Sequence, residues 1–259
     1  LVYAPQSGLI DLFGGLDDIA GKTLRCIGDP EKRFSEDALR ILRALRFSAT
    51  LDFAIEPQTA FAAVKLRGLL TRISAERITS ELLILFEKGA PKRIASLLTE
   101  FQPIFLQLFP ELAALPEKQY ASLCKLSANL PTGRDAPSYE NLRISYFLAA
   151  NGCTKRLLSR LRLPNTFQKR VITLEEALPA AERVQNAIEV RKLLYRFGQT
   201  ACEDAAAVLK TSGVNPRLTE LLNKCLQNSD CVSLTSLAIN GQDLARLGFT
   251  GPNVGAALN

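Results

Sequence analysis

The chain has 259 residues, a formal net charge of +6 and 47% hydrophobic residues, with no histidine. No apolar run approaches the length of about eighteen residues that a membrane-crossing helix needs, and the missing histidine excludes a Ser-His-Asp triad, His-ligated zinc and hydrolases built on His-Asp pairs. Six cysteines without a C-x-x-C pair suit reduced thiols in a cytoplasmic protein rather than zinc ligands.

LVYA and LIDLF are short apolar runs separated by Pro5, Ser7 and Gly8, and predict a hairpin. A chain that opens in mid-hairpin reads as a piece of a longer one. FGGLDDIAGK follows as a Gly-Gly turn with a short helix, and TLRCIG as a strand or extended connector. From Asp29 the pattern is helical. Asp29 is a cap with Pro30 in the first turn, and Ser35 is expected to cap the next helix, with Glu36 and Asp37 at its positive dipole end. Pro57 opens another helix after Glu56. Ser74 is the expected cap of AERITSELLILFEK, which Gly89 should end, and Pro91 opens PKRIASLLTEF. Further helical stretches cover 117–130, 138–150, 153–162, 165–178, 179–198, 201–211 and 215–227, and NLPTGRDAPS (129–138) is the best linker candidate. The expectation is a mainly α chain with a small α/β portion at its start.

FSEDALRILRALRF (34–47) is unusual because acids stand only at its front and bases follow: Arg40, Arg43 and Arg46. At about 100° per residue, Ala38, Ile41, Leu42, Leu45 and Ala49 share one apolar stripe, with the three arginines on the far side. Asp37 sits at the edge of the stripe, one turn before Arg40. On a solvated face, Asp37 and Arg40 would be an i,i+3 ion pair worth a few tenths of a kcal/mol. No acid on this helix balances Arg43 or Arg46, and unpaired arginines in a row repel unless an anion lies across them. The second reading is chemical. A carboxylate accepts and a guanidinium donates, so side by side they match an edge with an amino group beside a ring-nitrogen acceptor. Cytosine and adenine present that edge. Guanine and uracil present a carbonyl beside an N–H and would meet unmade bonds and repulsion.

With its lead-in IGDPEKR, this segment resembles the nucleotide-recognition motif of class II tRNA nucleotidyltransferases, the CCA-adding enzymes. LIDLFGGLDDI resembles that family's D-x-x-G-G-x-x-D hinge segment, and RISAERITSEL its next helical motif. LRLPNTFQKRV and RKLLYRFG resemble stretches of its helical body, and AINGQDLARLGFTGPNVGAAL its tail. The resemblance runs in order along essentially the whole chain. It implies an elongated multi-helix neck, body and tail following a nucleotidyltransferase head, of which this chain keeps a small α/β remnant. The implied divisions are 1–28 for the head remnant and hinge, 29–115 for the neck, 116–190 for the body and 191–259 for a tRNA-binding tail.

The implied activity is addition or repair of the 3′-terminal CCA of tRNA from CTP and ATP without a nucleic-acid template. By the motif match, Asp37 and Arg40 would read the base and Arg43 and Arg46 would hold the nucleotide. Asp11, Gly14, Gly15 and Asp18 would form the hinge, and Glu76 and Arg77 would brace the neck. The resemblance places the Mg²⁺-binding catalytic aspartates upstream of Leu1, so no catalytic or metal-binding residue is assigned within the chain, which is expected to be inactive alone.

CTKRLLSRLRLPNTFQKR (153–170) carries Lys155, Arg156, Arg160, Arg162, Lys169 and Arg170. They form either a solvated basic face or a phosphate track for the acceptor stem and T arm of tRNA. RKLLYR (191–196) could extend that track, with Tyr195 placed in the core in preference to stacking on RNA. Gly251 to Gly255 could bring backbone N–H groups to a phosphate. The alternatives are a bacterial poly(A) polymerase of the same superfamily, an enzyme adding only CC or only A, or a non-catalytic helical RNA-binding module. Ser35-Glu36-Asp37-Ala38 departs from the R-E-D-P-x-R of the polymerase branch.

Overall fold

The computed structural model describes residues 2–6, 8–135, 139–150, 154–228, 241–248, 250 and 253. The chain is mainly α and divides into two compact units, residues 1–175 and 176–259.

The first unit opens with the expected hairpin, β1 (Val2–Ala4) antiparallel to β2 (Gly8–Ile10). The Asp11 carboxylate accepts from the N–H groups of Gly15 at 2.9 Å and Leu16 at 2.8 Å, satisfying the start of α1 (Gly15–Ala20). The turn needs Gly14 at φ 71°, a left-handed conformation that a side chain disfavours. β3 (Thr23–Leu24) pairs in parallel with β4 (Ala54–Ile55).

Between these strands lie α2 (Pro30–Glu36) and α3 (Leu39–Leu51). Asp29 caps α2 as expected, accepting from the Glu31 N–H at 2.9 Å. Ser35 does not cap a helix. It lies inside α2, its hydroxyl donating to the Glu31 carbonyl at 2.7 Å. The helix predicted through residues 34–47 is instead two, because Asp37 is extended (φ −148°, ψ 103°) and its Oδ1 takes the Leu39 N–H at 3.1 Å. A short carboxylate that bonds the backbone two residues on offers the chain an alternative to continuing the helix, and here that local bond starts the next one.

The apolar stripe behaves as its spacing predicts. Ala38, Ile41, Leu42, Leu45 and Ala49 are all buried, and α3 packs mainly on α5 (Ala75–Lys88) and α6 (Pro91–Glu100). Each fully buried Leu or Ile contributes about 1.5–3 kcal/mol relative to exposure. Ser74 stands at the start of α5 without a side-chain capping bond. Gly89 does end α5, yet not as a left-handed cap, since it is extended at φ −71°. A Cβ there would lie 2.5 Å from the Leu85 carbonyl oxygen and 2.9 Å from the Ala49 Cβ, so glycine permits the close approach in which the Ala90 N–H donates to the Ala49 carbonyl at 2.8 Å.

α4 (Pro57–Lys65) follows its cap Glu56, and α7 (Gln102–Leu108), α8 (Glu117–Asn129), α9 (Leu142–Ala149) and α10 (Thr154–Leu161) complete this unit with the first part of α11 (Asn165–Glu182). Phe147 bridges Phe86 and Phe109, with ring centroids 5.2 and 5.9 Å away. The linker expected at 129–138 is, over its described residues, pinned to the core. Both oxygens of Glu87 are used, accepting from Gly133 at 2.7 Å and Asn141 at 2.9 Å. The buried Arg143 donates to the carbonyls of Leu130 at 2.7 Å and Gly89 at 3.0 Å. Pro and Gly mark a sharp path there, and side chains distant in sequence remove its freedom.

In the second unit, α12 (Ala187–Phe197), α13 (Gln199–Ser212) and α14 (Arg217–Gln227) pack on one another around Val190, Leu194, Ala205, Leu209 and Leu222, and α15 (Gly241–Arg246) lies further along. Asn215 donates to the carbonyls of Ala181 at 3.2 Å and Val184 at 2.9 Å, closing the end of α11. That helix runs through Pro179 to Glu182 rather than restarting at Pro179.

Candidate functional site

A cleft of about 520 Å³ opens where β3, α2, α3 and α4 meet. Phe34, Ala44, Phe47 and Leu24 supply apolar walls, and Arg25, Arg33, Arg40 and Arg43 line it with four guanidiniums and no carboxylate. Thr59 and Cys26 close one side through the Cys26 N–H bond to Thr59 Oγ1 at 3.0 Å. Burial pushes the Cys26 thiol above its ordinary range, although Arg33 and Arg40 pull it the other way.

The arginines are held in different ways. One oxygen of Glu36 accepts from Arg33 at 2.7 Å and from Arg40 at 2.8 Å, and Arg40 also donates to the Arg33 carbonyl at 2.7 Å. The hydrogen bond from Arg40, with Arg33 nearby, holds the Glu36 carboxyl below the usual carboxylate range despite slight desolvation. All the Arg40 contacts run through Nη1, so Nε and Nη2 keep their N–H donors. Arg43 is exposed and makes no ion pair among the described residues; its guanidinium carbon is 5.9 Å from the Phe47 ring centroid.

Arg46 departs from the expected row. It is mostly buried, stacks 4.0 Å from the Phe47 ring centroid and pairs with Glu81 of α5, outside the cleft lining. The acid missing from its own helix is supplied from the neighbouring one, which no helix-by-helix count of charge could reveal.

Asp37 is also placed differently from the helical projection. It stands at the α2–α3 junction, does not line the cleft, and accepts from Arg77 at 3.1 Å while Arg40 is held by Glu36. Partial burial alone would raise its pKa, but the Leu39 N–H and the Arg77 guanidinium outweigh that and keep the carboxyl below its ordinary value. Arg77 thus pairs with Asp37, and Glu76 pairs with Arg162 at 3.0 Å.

In the segment 11–18, expected as a hinge, Asp18 holds the cleft-lining Arg25 at 3.1 Å, Gly15 begins α1, and Asp11 is drawn below the usual carboxylate range by the N–H groups of Leu16 and Gly15. Of the basic residues at 155–170, Arg160 donates to the Leu108 carbonyl at 2.7 Å and to Glu111 at 3.0 Å, and Arg170 donates to the Glu140 carbonyl at 2.6 Å. With Arg162 on Glu76, these guanidiniums tie elements of the first unit together. Lys155 and Lys169 are exposed and make no ion pair among the described residues. The side chain of Arg156 lies outside the described ones, as do Gly251 and Gly255. Sequence reasoning missed Arg25 and Arg33 as cleft residues. Arg33 left a signal in its spacing, three residues before Glu36 and seven before Arg40.

Two families match the chain: tRNA nucleotidyltransferase domain 2 over residues 142–259, and the probable RNA and SrmB-binding site of polymerase A over residues 52–115. The CCA-adding enzyme of Levilactobacillus brevis is 32% identical over 265 residues, covering 100% of this chain and 63% of that protein. The crystal structure of the Bacillus stearothermophilus CCA-adding enzyme in complex with CTP aligns with a TM-score of 0.70 at 26% identity, over 99% of this chain and 64% of that one. Along its whole length the chain is similar to CCA-adding enzymes. The Thermotoga maritima CCA-adding enzyme complexed with tRNA has the same fold over 98% of this chain and 63% of its own, with a TM-score of 0.68 at 24% identity. The chain thus spans a little under two thirds of the length of the CCA-adding enzymes it matches.

Proposed function

We propose that this chain is the nucleotide-selecting and tRNA-holding part of a tRNA nucleotidyltransferase that adds or repairs the 3′-terminal CCA from CTP and ATP. The observation that carries the reading is the cleft walled by Arg33, Arg40 and Arg43 over Phe34 and Phe47, with no acid among its lining residues. Such a wall suits a polyanion, and the two rings suit a base. Solved relatives bound to CTP, ATP and tRNA support the same set of ligands.

In this reading Arg33 and Arg43 take phosphate oxygens, and Arg40, fixed through Nη1, presents its remaining donors to the ring nitrogen. Asp37 accepts from the exocyclic amino group with oxygen lone pairs not used by Leu39 and Arg77. It does not line the cleft as it stands, so a small re-aiming at the α2–α3 junction accompanies base reading. Arg46 supports this wall from behind through Phe47 and Glu81. The neck (29–115) carries selection, and the body (116–190) and tail (191–259) hold the acceptor stem and T arm. Asp11, Gly14, Gly15 and Asp18 form the hinge beside the cleft.

Phosphoryl transfer of this kind uses Mg²⁺ held by paired carboxylates. Among the described residues no three His, Cys, Asp or Glu side chains converge to hold a metal. The described residues do not fit that ion, and no step through it is assigned to them. No described helix is long and apolar enough to cross a membrane.

The test is nucleotide incorporation into a tRNA lacking CCA, with each NTP in turn, by an enzyme of the relatives' full length. Incorporation of C and A well above G and U is expected. Equal use of all four would remove base reading from this cleft.

A further inference from the structure

The second unit carries a separate basic cleft, of about 250 Å³, between the end of α11 and the face of α12. Arg183, Lys192 and Arg196 line it over a floor that includes Leu193 and Phe197. None of the three cations makes an ion pair among the described residues. The single acid in the lining, Glu189, has an oxygen committed to the Gln185 N–H at 2.7 Å, where it secures the start of α12. Arg196 lies 4.7 Å over the Phe197 ring, which orients the guanidinium while leaving its in-plane N–H groups available. Three cations around one concavity repel one another unless an anion sits among them.

Beside this cleft stands Tyr195. The sequence placed it in the core; the structure leaves it 58% exposed, three residues and so one helical turn from Lys192. An exposed ring next to clustered cations is the combination that holds a nucleic-acid strand, the charges taking phosphate and the ring taking a base or ribose. The contrast with residues 155–170 sharpens the point, because Arg160, Arg162 and Arg170 there are already engaged by other protein groups.

We infer that the Arg183–Lys192–Arg196 cleft binds a phosphodiester of the RNA, with Tyr195 packing against an adjoining nucleotide. This rests on the reading that the chain holds tRNA, and it moves a principal contact from the basic stretch at 155–170 to the start of the second unit. The volume fits one phosphate with part of its nucleotide rather than a whole free cofactor, since small-molecule sites run from about 300 Å³ upward.

The test is fluorescence anisotropy of a labelled tRNA transcript lacking CCA, titrated with the 259-residue chain over a range of salt. The triple variant Arg183→Gln, Lys192→Gln, Arg196→Gln should bind about tenfold more weakly, with a shallower dependence of log affinity on log salt. All three residues are at the surface, so its thermal midpoint should stay that of the parent chain. Tyr195→Ala should weaken binding several-fold and Tyr195→Phe should not. Unchanged affinity and salt slope in the triple variant would overturn the inference, as would absence of RNA binding by the parent chain. Displacement of tRNA by micromolar inorganic phosphate would assign the cleft to a small anion and overturn it too. Base selection in the full-length enzyme is a different readout, so a failure of the nucleotide reading through Arg40 is distinguishable from a failure here.

Discussion

Arg40 is held by Glu36, at 2.8 Å, and not by Asp37, its neighbour in the one-turn spacing that first suggested a pair. The relationship gives the cleft a guanidinium with a fixed direction, since one Nη1 is committed to both Glu36 and the Arg33 carbonyl. The pair is partly exposed, so its worth lies in orientation more than in stability.

Arg40→Ala in a full-length enzyme should abolish most discrimination among the four NTPs. A hydrogen bond to a charged group is worth about 1.5–3 kcal/mol, or about 10- to 150-fold in relative incorporation. Selectivity unchanged from the parent enzyme would remove Arg40 from base reading. Arg43→Ala should raise the apparent KM for both CTP and ATP with selectivity intact, and an unaltered KM would count against its contact with phosphate.

Removing Arg77 should move a pH profile. The Asp37 carboxyl is held below its ordinary value partly by Arg77, so it is ionised throughout the neutral range. The stability this shift contributes is present above the unfolded carboxylate pKa and is lost as pH falls through the lower folded one. In Arg77→Ala the folded value rises, so the acid limb of C addition should shift to higher pH. Superimposable acid limbs would show that Asp37 does not act as the accepting carboxylate.

Asp11 tests the turn before α1 by the same sign rule. Its carboxyl is held low by the N–H groups of Leu16 and Gly15, so its support of α1 is present above the ordinary carboxylate pKa and lost on acidification through the folded value. Asp11→Ala should speed amide hydrogen exchange at Gly15 and Leu16 at neutral pH, with little change in the buried amides of α3. Equal exchange in both proteins would remove the capping role.

Arg143→Ala should be strongly destabilising, by about 3–5 kcal/mol, because it strips buried carbonyls at Leu130 and Gly89 of their donor. Arg143→Lys should recover only part of the loss, since an ammonium lacks the planar fork that spans those oxygens. Denaturant midpoints read both variants, and a loss below about 1 kcal/mol would contradict the account.

Gly89→Ala should cost about 1–3 kcal/mol by overpacking against the Leu85 carbonyl and Ala49. A neutral melting temperature would mean that the α3–α5–α6 junction gives way without penalty.

Periodicity and capping chemistry, both local, made much of the fold legible. The buried stripe of α3, the hairpin at residues 2–10 and the Asp29 cap depend on residues within a turn or two of one another, and spacing alone carries them. The break at Asp37 depended on a choice between two local bonds, a helical N–H or the Asp37 side chain, which residue types alone left open. The partners of the charges lie much further apart in the chain. Glu81 balances Arg46, Arg77 takes Asp37, Glu87 ties down the 129–135 segment and Glu111 takes Arg160, across 35 to 49 residues in each case. A charged side chain reads the same in sequence whether it is free or engaged, because its pairing is set by which surfaces the apolar faces bring together. The amino-acid order therefore specified the helices and the chemistry available on each, and packing chose which guanidiniums stay open to a ligand.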